Sequence, residues 1–194
     1  MARVENIMQI TSVDENNNLF KVEELLPDHL VEKILATPWP DLAWDRQEGQ
    51  ETWARRRIRN EEIPWQQEWD IYLSNALPEI EQLVGRKLKG YVGTGWWLDE
   101  PGFTCGLHTD GDMPGSLQMT WIAARPELGT CFYNYKDSDA VRYHFLTKPN
   151  SGYIMLNNLD PDGYRQLQWH AMLTPVPAGT YRLSSYTWVT PYND

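Results

Sequence analysis

Only two cysteines occur in 194 residues, Cys105 and Cys131, 26 positions apart and in no C-x-x-C pairing. That argues against a disulfide framework and for a reducing compartment. Long apolar runs are missing as well. No stretch approaches the length that spans a membrane, and MARVENIMQITSVDENNN lacks the apolar centre of a secretion signal. The expectation is a soluble, cytoplasmic protein without a membrane partner. Positive charge is scarce: 17 Lys and Arg stand against 27 Asp and Glu, a formal net charge of −10. Such a chain repels a phosphate backbone, which argues against non-specific nucleic-acid binding but leaves room for a local anion site. No repeat, low-complexity tract or linker divides the chain, so a single domain over 1–194 is expected, and nothing in the sequence signals an oligomeric state.

Tryptophan and tyrosine are abundant, ten of each. They bury large areas while keeping a polar tip, so they suit either a thick core or an aromatic-walled pocket. Short strands are expected near Met8–Val13 and Leu19–Val22, around the turn DENNN (14–18). In LLPDHLVEKILAT (25–37), Pro27 and Asp28 start a helix whose apolar face is Leu30, Val31, Ile34 and Leu35. A loop rich in Trp, Pro and Asp follows from Pro38 to Gly49. A second helical region spans about Trp65 to Val84, broken or kinked near Pro78 and stopped by Gly85. From Lys87 the texture changes. YVGTGWWL, SLQMTWIAA, GTCFYNY, YHFLT, GYIMLNN and TYRLSSYTWV are rich in β-branched and aromatic residues and are separated by turn formers. The class is α+β, mainly β: N-terminal strands and helices (about 1–86) ahead of a sandwich or barrel of jelly-roll type (about 87–194).

The chemistry concentrates in the β half. In GLHTDGD (106–112), side chains at i and i+2 of an extended segment leave the same face, so His108 and Asp110 can reach one ion. The same residues also suit an ordinary turn. Asp112 shares the alternation and reads as a turn residue or an acceptor behind the ligands. His170, 62 residues past His108, is followed by Arg182 and Ser184, which share one face of the strand TYRLSSYTW with Tyr186 and Trp188. A planar guanidinium beside a hydroxyl inside a barrel clamps one carboxylate, and an Arg buried without an anion is costly. A dicarboxylic acid would meet the clamp with one end and the metal with the other. His144, in VRYHFL, has no Arg at comparable distance and reads as structural; His29 falls on the first helix as a surface residue. Trp97, Trp121 and Tyr91 suit pocket walls, co-substrate contacts or plain β-core packing. Asn157 and Asn158 read as turn residues. WARRRIR (53–59) is the one dense basic cluster, either solvated arginines or a contact for a substrate anion.

Taken in order, His108-x-Asp110, His170 and Arg182-x-Ser184 resemble the signature of the Fe(II)/2-oxoglutarate-dependent oxygenases. ELGTCF (127–132) is similar to the Gly-Gly-x-Thr-x-Phe strand of the prolyl 4-hydroxylase-like branch. His170 with Pro175-Val176 and Gly179 is similar to that branch's His…Pro-Val…Gly segment, and LFKVEELLPDHLVEKIL to its N-terminal strand and helix. The chain departs from the branch in carrying Arg182 where Lys is usual, in lacking a clear counterpart of the Tyr before His-x-Asp, and in replacing the second Gly of the pair. The resemblance spans roughly residues 88–190 and implies a double-stranded β-helix (jelly-roll) core with an N-terminal helical layer. It implies Fe(II) on His108, Asp110 and His170, and 2-oxoglutarate on Arg182 and Ser184, with Trp97 and Tyr91 as further candidate contacts. O2 would be the oxidant and ascorbate the reductant. The implied activity is a dioxygenase that hydroxylates a C–H bond of a peptidyl side chain or small molecule, releasing succinate and CO2. Segments 44–59 and 135–143 would shape the substrate mouth. Two other readings compete: a non-catalytic cupin-like binding module, and a metal-assisted hydrolase with the same ligands on zinc. The hydrolase has no need of Arg182-x-Ser184.

Overall fold

In the computed structural model, which describes residues 7–14, 18–45, 54–89, 93–110, 115–134, 140–157 and 168–191, the strands feed antiparallel sheets. A hairpin comes first, β1 (Gln9–Ser12) with β2 (Leu19–Glu23), then α1 (Asp28–Ala36), β3 (Trp44–Asp45), β4 (Arg55–Ile58) and α2 (Gln66–Val84). Next are β5 (Leu88–Lys89), β6 (Thr94–Asp99), β7 (Cys105–His108), β8 (Gly115–Ile122), β9 (Thr130–Tyr133) and β10 (Val141–Phe145). The chain closes with β11 (Ser151–Leu156), β12 (Trp169–Met172), β13 (Arg182–Trp188) and β14 (Thr190–Pro191). The large sheet has the order β1-β2-β11-β8-β13-β6-β4-β3 and the small one β10-β9-β12-β7, while β14 pairs with β5. From β6 to β13 the chain passes repeatedly from one sheet to the other. Among the described residues, no helix is long and apolar enough to cross a membrane.

The pleat of the large sheet explains why its central strands are buried almost throughout. Trp96 and Leu98 of β6, Leu117, Met119 and Trp121 of β8, and Leu183 of β13 join one apolar cluster with Leu30 and Ile34 of α1 and Trp69, Leu73, Ala76 and Ile80 of α2. The alternate residues, Trp97, Gln118, Arg182, Ser184 and Tyr186, face a cavity instead. Five tryptophans knit the helical side together. The Trp96 ring stacks on Trp39 at 5.0 Å and meets Trp69 and Trp65 edge-on at 4.8 and 5.2 Å; Trp121 completes the group against Trp69 at 5.5 Å. Trp96 Nε1–H donates to Gln66 Oε1 (2.8 Å). A smaller wedge of Leu19, Tyr153 and Met155 from the large sheet meets Phe132 and Phe145 from the small one, with Phe132 edge-on to Tyr153 at 5.1 Å.

Three local expectations change. Pro78 does not interrupt α2, which runs unbroken over Gln66–Val84: the ring removes one N–H donor, but the buried face of Leu73, Ala76, Ile80 and Val84 holds the helix to the sheet on both sides of it. The stretch 38–49 is not all loop, since Trp39–Asp41 forms a 3-10 turn, Trp39 is buried and β3 follows. Trp121 is no pocket wall; it points to the helical side, where its Nε1–H donates to Ser185 Oγ (2.9 Å). Gly85 ends α2 as expected, in the left-handed conformation at φ 73°. Replacing Trp96 by Ala is expected to cost about 3–5 kcal/mol; a denaturation midpoint equivalent to less than about 1 kcal/mol would count against the tryptophan cluster as the main support of the helical face.

Candidate metal centre and its cavity

Pairing of β12 with β7 sets His170 directly opposite His108, and their ring centroids lie 4.3 Å apart. Asp110 follows two residues after His108, and its Oδ1 is 3.5 Å from the Nε2 of each imidazole. One ligand atom from each of the three residues lies within 4.8 Å of the others, the only such group of three or more among the described residues. Both imidazoles are oriented from behind. His108 Nδ1–H donates to Gly106 O (2.7 Å) and His170 Nδ1–H to Gln168 O (2.9 Å), which turns both Nε2 atoms inward. The support continues outward. Gln168 N–H donates to the side chain of buried Asn157 (3.3 Å), so Asn157 anchors the segment that orients His170 rather than merely turning the chain. Phe132 stacks on the His170 ring at 5.4 Å. Tyr153 O–H donates to Gln118 Oε1 (2.7 Å), which directs the Gln118 Nε2–H toward Asp110 Oδ2 at 3.5 Å.

The electrostatics follow from two imidazoles packed against one carboxylate. The hydrogen bond that the His108 imidazole donates to Asp110, with help from Cys105, pushes that imidazole up to about 10. Burial raises the Asp110 carboxyl, but the hydrogen bonds from both imidazoles outweigh it and hold the group well below the usual carboxylate range. Burial pushes the Tyr153 and Tyr186 phenols upward, so both remain neutral donors at physiological pH.

These residues open on a cavity of about 640 Å³ lined from both sheets. Cross-strand register builds its other wall in rows. Arg55 of β4, Asp99 of β6 and Arg182 of β13 form one row; Arg57, Trp97 and Ser184 form the next. Asp99, with no solvent exposure, accepts from Arg182 Nη1 (2.7 Å) and from Arg55 Nε and Nη2 (2.5 and 3.2 Å). Arg182 is itself buried, and its Nε has no hydrogen-bond partner among the described residues. The Arg55 guanidinium also lies 4.2 Å from the Phe103 ring centroid and 5.2 Å from that of Trp97.

Of the residues singled out in the sequence, His108, Asp110, His170, Arg182, Ser184 and Trp97 all line this cavity. Tyr91, Asp112 and Asn158 lie outside the described residues, as do parts of both mouth segments. His144 sits opposite Cys131 on β10, apart from the three-residue group, and His29 is exposed beside Glu68. The basic run resolves residue by residue: Arg55 is held by Asp99, Arg56 pairs with Glu100, Arg59 pairs with Asp45, and Arg57 faces the cavity. Asp99 was the residue that pattern reading passed over. The alternation Gly95-Trp97-Asp99 in TGWWLD, in step with Arg182-Ser184-Tyr186, was the signal that could have found it. Gln118 and Tyr153 carried no comparable signal.

Searched by sequence, the chain matches no protein-family model and no curated protein. By structure, it is similar to an oxidoreductase of the 2OG-Fe(II) oxygenase family from Burkholderia pseudomallei at a TM-score of 0.64 and 11% identity, covering 91% of this chain and 85% of that one. A prolyl-4-hydroxylase from Pseudomonas putida superposes at a TM-score of 0.58 and 16% identity, covering 91% and 94%. The viral collagen prolyl hydroxylase of Paramecium bursaria Chlorella virus-1, in its 2OG complex, does so at 0.58 and 15%, covering 89% and 95%. The two sheets and their connections are thus a fold shared with these structures.

Two outcomes are expected of the metal centre. Alanine at His108, Asp110 or His170 should abolish Co(II) or Fe(II) binding in an anaerobic titration, whereas His144→Ala should retain it; loss in the last variant alone would overturn the assignment. Because the ion must displace the proton held on His108, affinity should rise by about tenfold per pH unit below pH 10 for one proton released. Dissociation constants for Mn(II) between pH 6.5 and 8.5 read this directly, and a flat profile would contradict it.

Proposed function

We propose that this chain is an Fe(II)- and 2-oxoglutarate-dependent dioxygenase on a double-stranded β-helix with an N-terminal helical layer, hydroxylating a C–H bond of a peptidyl side chain or small molecule in the cytoplasm. One observation carries the reading: the inward-turned Nε2 atoms and the Asp110 carboxylate share a cavity with a buried arginine whose Nε has no acceptor among the described residues. Two imidazoles and one carboxylate suit a non-haem Fe(II) ion, since they occupy one side of an octahedron and leave the rest open. The Arg182 Nε–H suits a carboxylate oxygen, and one charge is available for it, because Arg55 and Arg182 share the single carboxylate of Asp99. Both groups therefore fit the residues present. Bound there, the iron supplies the coupling of oxidative decarboxylation of 2-oxoglutarate, giving succinate and CO2, to oxygen insertion into a C–H bond.

The chain's own residues have separate tasks. His108, Asp110 and His170 present their donor atoms, and Gln118, Gln168 and Asn157 keep them in place. Arg182 and the Ser184 hydroxyl orient the distal carboxylate of the co-substrate, while Trp97 and Tyr186 wall the cavity against water. The similarity in fold to the two prolyl hydroxylases supports the same direction. A zinc hydrolase would have no use for the unpartnered Nε–H of buried Arg182 beyond its pairing with Asp99, and a non-catalytic module would need neither that donor nor the open ligand positions.

Succinate release from 2-oxoglutarate with Fe(II), ascorbate and air is expected in the native chain and should vanish in His170→Ala. Arg182→Gln should raise the KM for 2-oxoglutarate by about tenfold or more, the value of one charge-assisted contact. Absence of both succinate and the anaerobic visible charge-transfer band of the Fe(II)–2-oxoglutarate complex would sink the proposal.

A further inference from the structure

On the row next to the Arg55–Asp99–Arg182 clamp, Arg57 and Trp97 face the cavity side by side across β4 and β6. Between them lies Gly95, two residues before Trp97 and on the same face. A Cβ at Gly95 would stand 3.6 Å from Trp97 Nε1 and 4.0 Å from Arg57 Nε. Two nitrogen donors therefore border the small space that this glycine leaves open. Neither has a hydrogen-bond partner among the described residues, and the carboxylate opposite Arg57 in the register, Asp45, is taken by Arg59. The Arg55 guanidinium lies 5.2 Å from the centroid of the Trp97 ring and braces it from the neighbouring row.

Charge bookkeeping points the same way. A divalent ion would be neutralised by Asp110 and the near carboxylate of a keto acid. The excess positive charge of Arg55 and Arg182 over Asp99 would be neutralised by its distal carboxylate. Arg57 is then the cation of the wall that no carboxylate among the described residues balances, in a chain whose net charge is −10.

We propose that Arg57 and Trp97, above Gly95, form the recognition site for a carboxylate of the oxidised substrate, which makes that substrate an acid. The inference rests on the oxygenase reading, because it assigns the clamp and the metal to the co-substrate and leaves this pair to the second ligand. One carboxylate oxygen accepts from the indole and the guanidinium together, a charge-assisted arrangement that a neutral amide matches poorly. The acid can be a free small molecule or the side chain of an acidic peptide.

The test uses the full chain loaded anaerobically with Mn(II) and 2-oxoglutarate, with loading measured first by calorimetry. N-acetylglycine, N-acetyl-L-proline and a peptide with one internal Asp are then compared with their amide counterparts, the last being the Asn peptide. Paramagnetic relaxation of their proton signals by Mn(II) reports entry into the cavity. An acid should bind about tenfold or more tightly than its amide. Preference among the acetylated amino acids identifies a small acid; preference for the Asp peptide alone identifies a peptidyl one. Arg57→Gln should erase the preference and Arg57→Lys should restore part of it. Gly95→Ala, whose methyl fits at ordinary contact distance but fills the space, should erase it too, with both ligands still loading in every variant. Equal relaxation of acids and amides, relaxation of none, or a preference that survives in both Arg57→Gln and Gly95→Ala would overturn the inference. Failure of Mn(II) and 2-oxoglutarate to load in the native chain would instead overturn the oxygenase reading, and this inference with it.

Discussion

Asp99 has no contact with solvent, and a buried carboxylate persists only when its charge is met. Two guanidiniums meet it, one from β4 and one from β13, so a single side chain ties the N-terminal third of the chain to the last strand of the core. The arrangement overshoots. One carboxylate cannot cancel two arginines, and the surplus stays on the cavity wall in an otherwise acidic protein. That imbalance sets the electrostatics of the site, because the wall carries an excess of positive charge while each arginine has a fixed neighbour to hold it.

Most of the fold was legible because both of its periodicities are strong. The helical spacing of Leu30, Val31 and Ile34, the Gly85 stop and the aromatic, β-branched runs after residue 87 each correspond to an observed element, whereas Leu35, expected on the same apolar face, is exposed. The strands that carry the imidazoles were harder to see. β7 and β12 have four residues each, and neither CGLH nor WHAM alternates apolar with polar side chains. Their extended shape comes from pairing with each other and, for β12, with β9, a tertiary effect that local sequence does not announce. Pro78 does not break α2 for a related reason: the missing N–H is a local cost, whereas the buried face of the helix is spread over five turns.

The site divides along the same line. His108, Asp110, His170, Arg182 and Ser184 stand out because their types are rare at such positions and their order is informative. Asp99, Gln118 and Asn157 do not, because acidic and amide residues are common in turns and loops, and only the register reveals which of them face inward. Arginine gave an ambiguous signal for another reason. Consecutive residues of a strand point to opposite faces, so the run Arg55-Arg56-Arg57 is neither a solvated patch nor a binding site but alternates between the two.

The imidazoles belong to the small sheet and the arginine clamp to the large one, while the wedge of Phe132, Phe145, Tyr153 and Met155 fills the space between the sheets. Close-packed aromatics compress little. The wedge therefore acts as a spacer that sets the distance between the two ends of the cavity. Any molecule that reaches from the imidazoles to the arginines must match that distance, so the packing of the core, and not the lining alone, limits the length the cavity accepts.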